Sequence, residues 1–283
     1  MPLSDRVLAR LREAVDQPDL TDTRYAMRRL LGRGGMGTVF AVFDAVLERE
    51  VALKVLTAGD AAGRLLSEAR VVAQLEHPGI VPVYDSGVLA DGRAFYTMKL
   101  VEGVHLDAFI HDTPSLSDRL RVFQTLCDAV AFAHSRGVVH RDLKPGNVMV
   151  GPFGEVLVMD WGVGVAGTPV YRALEQSEPG GDVGPAADVH ALGVILRALL
   201  PSPRRPLQAL IDRATAADPA ARYADARELH REVARYLDTG SVEAYRESAF
   251  ERVARFYRAN QPLLVLFLVY VVVRFALFLW SRP

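Results

Sequence analysis

Cysteine is almost absent: Cys127 stands alone in 283 residues. One thiol can neither close an intramolecular disulfide nor build a cysteine-based zinc cluster, and a reducing compartment is expected. A basic surplus is also lacking, with 33 Lys and Arg against 34 Asp and Glu and a formal net charge of -1. A general nucleic-acid binder normally carries such a surplus, so no nucleic-acid partner is expected. The opening residues, Met1-Pro2-Leu3-Ser4-Asp5-Arg6, lack the basic-then-apolar order of a cleaved leader, and none is expected. No internal repeat or low-complexity tract breaks the chain. The composition that remains is 50% hydrophobic and 24% charged, which supports a buried core in one large or two small domains.

Long apolar runs are missing until the end. From Leu263 to Trp280 the chain reads LLVLFLVYVVVRFALFLW, eighteen residues with one charge, Arg274. As a helix this run is about 27 Å long, near the roughly 30 Å hydrocarbon thickness of a bilayer. The expectation is a single membrane span over 262–280, with Arg274 snorkelling toward the far headgroups. Arg252, Arg255 and Arg258 precede the run and only Arg282 follows it, so the rest of the chain is expected on the cytoplasmic side of an inner membrane. Almost nothing follows Trp280, so no extracytoplasmic sensor domain is expected. The span has no Gly-x-x-x-Gly pattern, which favours simple anchoring slightly over pairing into a homodimer.

Between the ends the texture changes once. Residues 4–16 carry apolar positions at helical spacing and stop before Pro18, so 1–24 is expected to be an amphipathic helix with a lead-in. Short β-branched runs broken by glycine fill 25–103, interrupted by a helical stretch from Ala61 to Leu75. From about Leu106 the chain becomes helical, with apolar spacing near 3.6 over 117–135, 186–200, 206–217 and 224–237. Strands first and helices later predict an α+β protein of two lobes, 25–103 and 104–240. An amphipathic linker helix is expected over 241–261.

Gly32-Arg33-Gly34-Gly35-Met36-Gly37-Thr38-Val39 is a glycine string that lets backbone N–H groups approach phosphates. A dinucleotide site would open a helix next, but Val39-Phe40-Ala41-Val42-Phe43 continues as a strand, so a hairpin over nucleotide phosphates is the better reading. Lys54 ends the alternating strand Val51-Ala52-Leu53. Glu68 shares the inward face of Leu65 and Val72, and a buried carboxylate needs a cation, for which Lys54 is the natural candidate. His140-Arg141-Asp142-Leu143-Lys144-Pro145-Gly146-Asn147 places an acid, a cation and an amide in one bent loop. There a carboxylate can take a hydroxyl proton, an ammonium can neutralise a phosphoryl oxygen, and an amide oxygen can bind a metal ion. Asp160-Trp161-Gly162, after the strand Val156-Leu157-Val158-Met159, adds a second hard oxygen ligand suited to Mg2+.

In this order the motifs resemble the protein kinase superfamily, most closely the membrane-anchored, eukaryotic-like (Hanks-type) Ser/Thr kinases of bacteria. The resemblance covers roughly residues 25–237 and implies a bilobal fold binding ATP and Mg2+. It implies that Gly32, Gly34 and Gly37 cover the ATP phosphates, and that Lys54, oriented by Glu68, holds the α- and β-phosphates. Asp142 is implied as the base on the acceptor hydroxyl, Lys144 as the γ-phosphate contact, and Asn147 and Asp160 as Mg2+ ligands. Val39, Ala52 and Met149 would sandwich the adenine, with Met98 as gatekeeper and Lys99-Leu100-Val101 as hinge. Thr168 would face the protein substrate, and together with Lys144 it implies Ser/Thr acceptors. Glu175 would pair with Arg222, and Asp188 would support the catalytic loop.

The sequence departs from the family at several points. Trp161 replaces the usual Phe and Leu174 the usual Pro. Only fifteen steps separate Asp160 from Glu175, and the hydroxyls between them are Thr168 and Tyr171. Activity is therefore expected not to depend on phosphorylation of this loop, although Arg141, which in the family receives such a phosphate, is retained. The helical lobe is also short, without the helix many members use to dock protein substrates. The alternative is a membrane-anchored pseudokinase that binds ATP as a scaffold. Retention of both Asp142 and Asp160 speaks against it.

Overall fold

The structure is a computed structural model and describes residues 17–34, 37–56, 69–112, 115–161, 169–177 and 183–280. The expected helix over 4–16, most of the one over Ala61–Leu75, and the residues Glu68, Gly162 and Thr168 lie outside this set; residues 69–73 are helical.

Among the described residues five strands build the first lobe: β1 Tyr25–Gly34, β2 Gly37–Asp44, β3 Arg49–Val55, β4 Val83–Val88 and β5 Ala94–Lys99. They pair antiparallel in the order β1-β2-β3-β5-β4. Alternating apolar residues in β2 and β3 bury both sheet faces, with Phe40, Val42, Val51, Leu53 and Val55 in one cluster and Ala52, Met98 and Tyr96 in another. The outer strand β1 shifts register between Met27 and Arg29 and again between Leu30 and Gly32, which bends it over the sheet.

The second lobe opens with a small sheet, β6 Val104–His105, β7 Val148–Val150 and β8 Val156–Val158, in the order β6-β7-β8, of which only β8 is expected from the sequence. Its helices are α1 Leu106–Asp112, α2 Leu116–Ser135, α3 Pro185–Leu199, α4 Arg205–Ala214 and α5 Ala226–Thr239. Ser115 caps α2 by accepting from the Asp118 N–H, Asp225 caps α5 the same way from Glu228, and Gly240 ends α5 at φ 71°. The helix expected over 206–217 stops early. The Thr215 hydroxyl and N–H both bond the Ile211 carbonyl, and Pro219 begins a separate 3-10 turn. Phe123, Leu126, Leu192, Ile195, Leu210 and Leu229 meet in one core beneath the catalytic loop. The two lobes are stitched where the Val158 N–H bonds Gly79 O and the Val81 N–H bonds Val158 O.

The linker expected as one helix over 241–261 is helical only from α6, Ala249–Ala259. Residues 241–248 are irregular because tertiary contacts outweigh their helical spacing. Val242 is buried in the core, and the buried Glu232 carboxylate accepts from the N–H groups of Glu243 and Ala244. The last helix, α7, runs Gln261–Trp280. Side chains of residues 263, 264, 275, 276, 278 and 279 fall outside the described set. Among the described residues no helix is long and apolar enough to cross a membrane, so the fold does not establish the span expected over 262–280.

Candidate active site

Gly32 and Gly34 end β1 and Gly37 opens β2, Gly34 pairing with Gly37, so strand is followed by strand and not by the helix of a dinucleotide site. Gly37 is required by the backbone: it sits at φ 146°, and a Cβ there would lie 2.3 Å from the Val55 carbonyl oxygen. Gly32 is different, because a Cβ would meet nothing within 4 Å. Folding does not demand glycine at this position, so its use fits a ligand that needs the backbone bare.

β2 and β3 place Val39 opposite Lys54 and Ala52 opposite Ala41, and β5 places Met98 opposite Ala52. Val39, Ala52, Met98, Leu100 and Val101 thereby share one apolar cluster at the seam of the lobes, with Met159 as a further member. Lys99 is exposed, and Met149 is half-buried on β7 across from Leu157. The expected Lys54–Glu68 pair cannot be placed because Glu68 is outside the described residues. Lys54, almost fully buried, holds Asp160 with Nζ 2.7 Å from Oδ1.

The catalytic loop hangs from α3. Asp188, one turn into that helix, is 1% exposed and accepts from the backbone N–H groups of His140 at 2.7 Å and Arg141 at 2.9 Å. His134 Nε2 donates a third bond at 2.8 Å. Burial alone would raise the Asp188 carboxyl, but the His134 hydrogen bond and the His140 N–H hold it below the usual carboxylate range. The Asp188 bond also braces Arg141 at φ 68°, a left-handed conformation that a non-glycine residue rarely adopts.

His140 turns its ring toward the other half of the site. Its Nε2 is 2.9 Å from the Met159 carbonyl, which can only accept, so the proton sits on Nε2. Its Nδ1 then accepts from the Asp142 N–H at 3.4 Å, and its ring packs 4.8 Å from that of Trp161. Trp161 is fully buried and donates through its indole N–H to Val158 O at 3.2 Å, so it fills the slot a phenylalanine would fill and adds a hydrogen bond. Asp160, next to it, is held at φ 57°.

Within the loop, Lys144 Nζ is 2.8 Å from Asp142 Oδ2. The Asn147 amide nitrogen donates to Asp142 O at 2.7 Å and to Oδ2 at 3.3 Å. Both Asn147 donors thus point at Asp142, and the amide oxygen is left as the acceptor. The Met159 N–H bonds Asn147 O at 2.9 Å, tying the loop to the strand that carries Asp160. Among the described residues no three His, Cys, Asp or Glu side chains gather as a metal site. Asn147 and Asp160 are two hard oxygen donors, a set that suits a small cation sharing its shell with water and phosphate oxygens.

Glu175 and Arg222 meet as a fork, Nη1 to Oε1 at 2.6 Å and Nη2 to Oε2 at 3.0 Å. The remaining Arg222 donors reach Ala186 O, Ala216 O and Ala217 O, so all five N–H groups of a buried guanidinium are used. Burial would raise the Glu175 carboxyl, yet the Arg222 hydrogen bonds keep it below its ordinary value.

A family profile described as protein kinase domain matches residues 25–214. The chain belongs to the protein kinase family. It is 36% identical to a serine/threonine-protein kinase PknD of Protochlamydia amoebophila (strain UWE25) over 62% of this chain and 23% of the relative. It is 29% identical to PknD of Chlamydia pneumoniae over 86% of this chain and 34% of the relative. PknD of Chlamydia trachomatis serovar L2b is 39% identical over 55% of this chain and 18% of the relative. The chain therefore spans about a third or less of the length of these curated relatives. Three functional contacts had escaped sequence reasoning: His134 on Asp188, Met159 in the apolar seam, and Gln176, whose amide donates to Arg141 O at 2.8 Å. His134 carried a signal, since it lies seven residues after buried Cys127 on the inner face of α2. Gln176 carried none.

Proposed function

We propose that this kinase-family chain transfers the γ-phosphoryl group of ATP to Ser or Thr hydroxyls of proteins. The observation that carries this reading is the convergence of Asp142, Lys144 and Asn147 in one hydrogen-bonded loop, tied through Met159 to Asp160. Asp142 accepts the acceptor's proton, Lys144 neutralises the γ-phosphoryl oxygens, and Lys54 holds the inner phosphates under the Gly32–Gly37 hairpin. Asn147 and Asp160 would hold Mg2+, which when bound supplies charge neutralisation at the phosphates. Val39, Ala52, Met98, Val101 and Met149 would enclose the adenine, with Lys99 in the hinge. Glu68 would orient Lys54, and Thr168 would face the substrate. The Glu175–Arg222 fork and Asp188 hold the loops that carry these groups.

We further propose that α7 anchors the chain to a membrane with the kinase lobes on the cytoplasmic face. The eighteen-residue apolar run and the arginines before it support this. The test is transfer from γ-labelled ATP by the full chain in vesicles, beside Asp142→Asn. Label on protein Ser or Thr that vanishes in the variant supports the kinase. No label, with thermal stabilisation by nucleotide retained, favours the scaffold reading.

A further inference from the structure

Most amphipathic helices on a globular domain turn their apolar stripe inward. α6 does the reverse. Glu251 and Arg255, one turn apart, face the helical lobe: Glu251 accepts from the Tyr245 hydroxyl at 3.0 Å, and Arg255 Nη2 lies 2.8 Å from Glu247. Arg255 also donates to Thr239 O at 3.2 Å, and Ser248 and Glu251 close a capping box at the helix start. Phe250, Val253, Phe256 and Tyr257 point away from the lobe and are 82%, 67%, 62% and 55% exposed. At 100° per residue these four fall within an arc of about 120°.

We infer that this outward stripe rests on the surface of a lipid bilayer, so that α6 is an interfacial helix orienting the kinase lobes. The inference deepens the anchoring reading and rests on it. α7 follows after the single residue Asn260, and its described apolar side chains, from Val265 to Trp280, are exposed as well. A helix apolar all round has no single face to give a second copy of the chain, which would leave most of it uncovered, whereas hydrocarbon covers every side. A helix apolar along one stripe, entered just before it, suits the headgroup boundary. Exposed Arg252, beside the stripe, complements anionic headgroup phosphates. Pinned through Tyr245 and Glu247, the helix presents the domain to the bilayer in one orientation.

The test uses the full chain in phosphatidylcholine–phosphatidylglycerol vesicles, labelled with an environment-sensitive fluorophore at one introduced thiol: Val253→Cys, Arg252→Cys or Leu277→Cys. Cys127 is fully buried, and burial pushes its thiol well up, so it stays unlabelled. Brominated lipid is expected to quench the label at position 253 several-fold more than the label at 252. Equal, weak quenching at both overturns the docking. Quenching at 277 reports the anchor separately, so an unquenched 277 label sinks the anchoring reading on its own account. A 253 label that is shielded from water yet unquenched by bromolipid means that a second copy covers the stripe, and this also overturns the inference.

Discussion

The Lys54 ammonium and the Asp160 carboxylate lie 2.7 Å apart, joining β3 of one lobe to the turn after β8 in the other. In the proposed reading both groups serve the ATP phosphates, so this contact ties the lobes together across the proposed nucleotide site. Lys54→Met removes the cation and leaves Asp160 without this partner. The expected result is a loss of phosphoryl transfer on the order of 10²-fold or more, with the fold retained, checked by steady-state rates beside circular dichroism.

Asp142→Asn keeps the shape of the loop but removes the proton acceptor. Transfer should fall on the order of 10²-fold or more, while ATP still raises the melting temperature. A variant that loses nucleotide stabilisation as well would show that Asp142 shapes the binding site instead of serving the transfer step.

Asp188→Asn places an amide nitrogen among the donors of His134, His140 and Arg141. Removing one partner of so buried an arrangement costs about 3–5 kcal/mol. A drop of that size in denaturant-unfolding free energy is expected, with transfer reduced even where the variant remains folded.

The Glu175–Arg222 fork gives a pH signature. The folded carboxyl lies below its unfolded value of 4.5, so the pair contributes fully above that pH and its contribution fades as pH falls through the depressed folded value. Glu175→Gln should therefore be less stable than the parent at neutral pH, by up to about 3 kcal/mol, and the gap should narrow in acid. Melting curves at pH 7 and below pH 4.5 compare the two; a gap that widens in acid refutes the assignment.

Phosphatase treatment before assay should leave the transfer rate unchanged, because the fifteen-step segment offers only Thr168 and Tyr171 as hydroxyls. Mapping that finds an essential phosphorylated residue between Val163 and Tyr171 would refute this.

The parts legible in the sequence are those fixed by local rules. The β1–β2 hairpin follows from glycines between β-branched runs, α2 and α5 from apolar spacing, and the catalytic loop from its own eight residues. Of the β6-β7-β8 sheet only β8 was legible, in the run Val156–Met159, since β6 and β7, of two and three residues, carry no periodicity. Residues 241–248 read as helix because Glu232, which captures two of their N–H groups, lies eleven and twelve residues before them in sequence. For the same reason sequence spacing proposed a partner for Lys54 on a nearby helix but could not reveal Asp160, more than a hundred residues on.

Burial of Trp161 has a spectroscopic consequence. The chain holds two tryptophans, Trp161 at 0% exposure against the His140 ring and Trp280 at 86% at the end of α7. Their emission should separate by solvent polarity, one blue-shifted and shielded from iodide, the other set by whatever surrounds α7. The catalytic core and the last helix thus each carry an intrinsic lamp, and Trp161→Phe would darken the catalytic one alone.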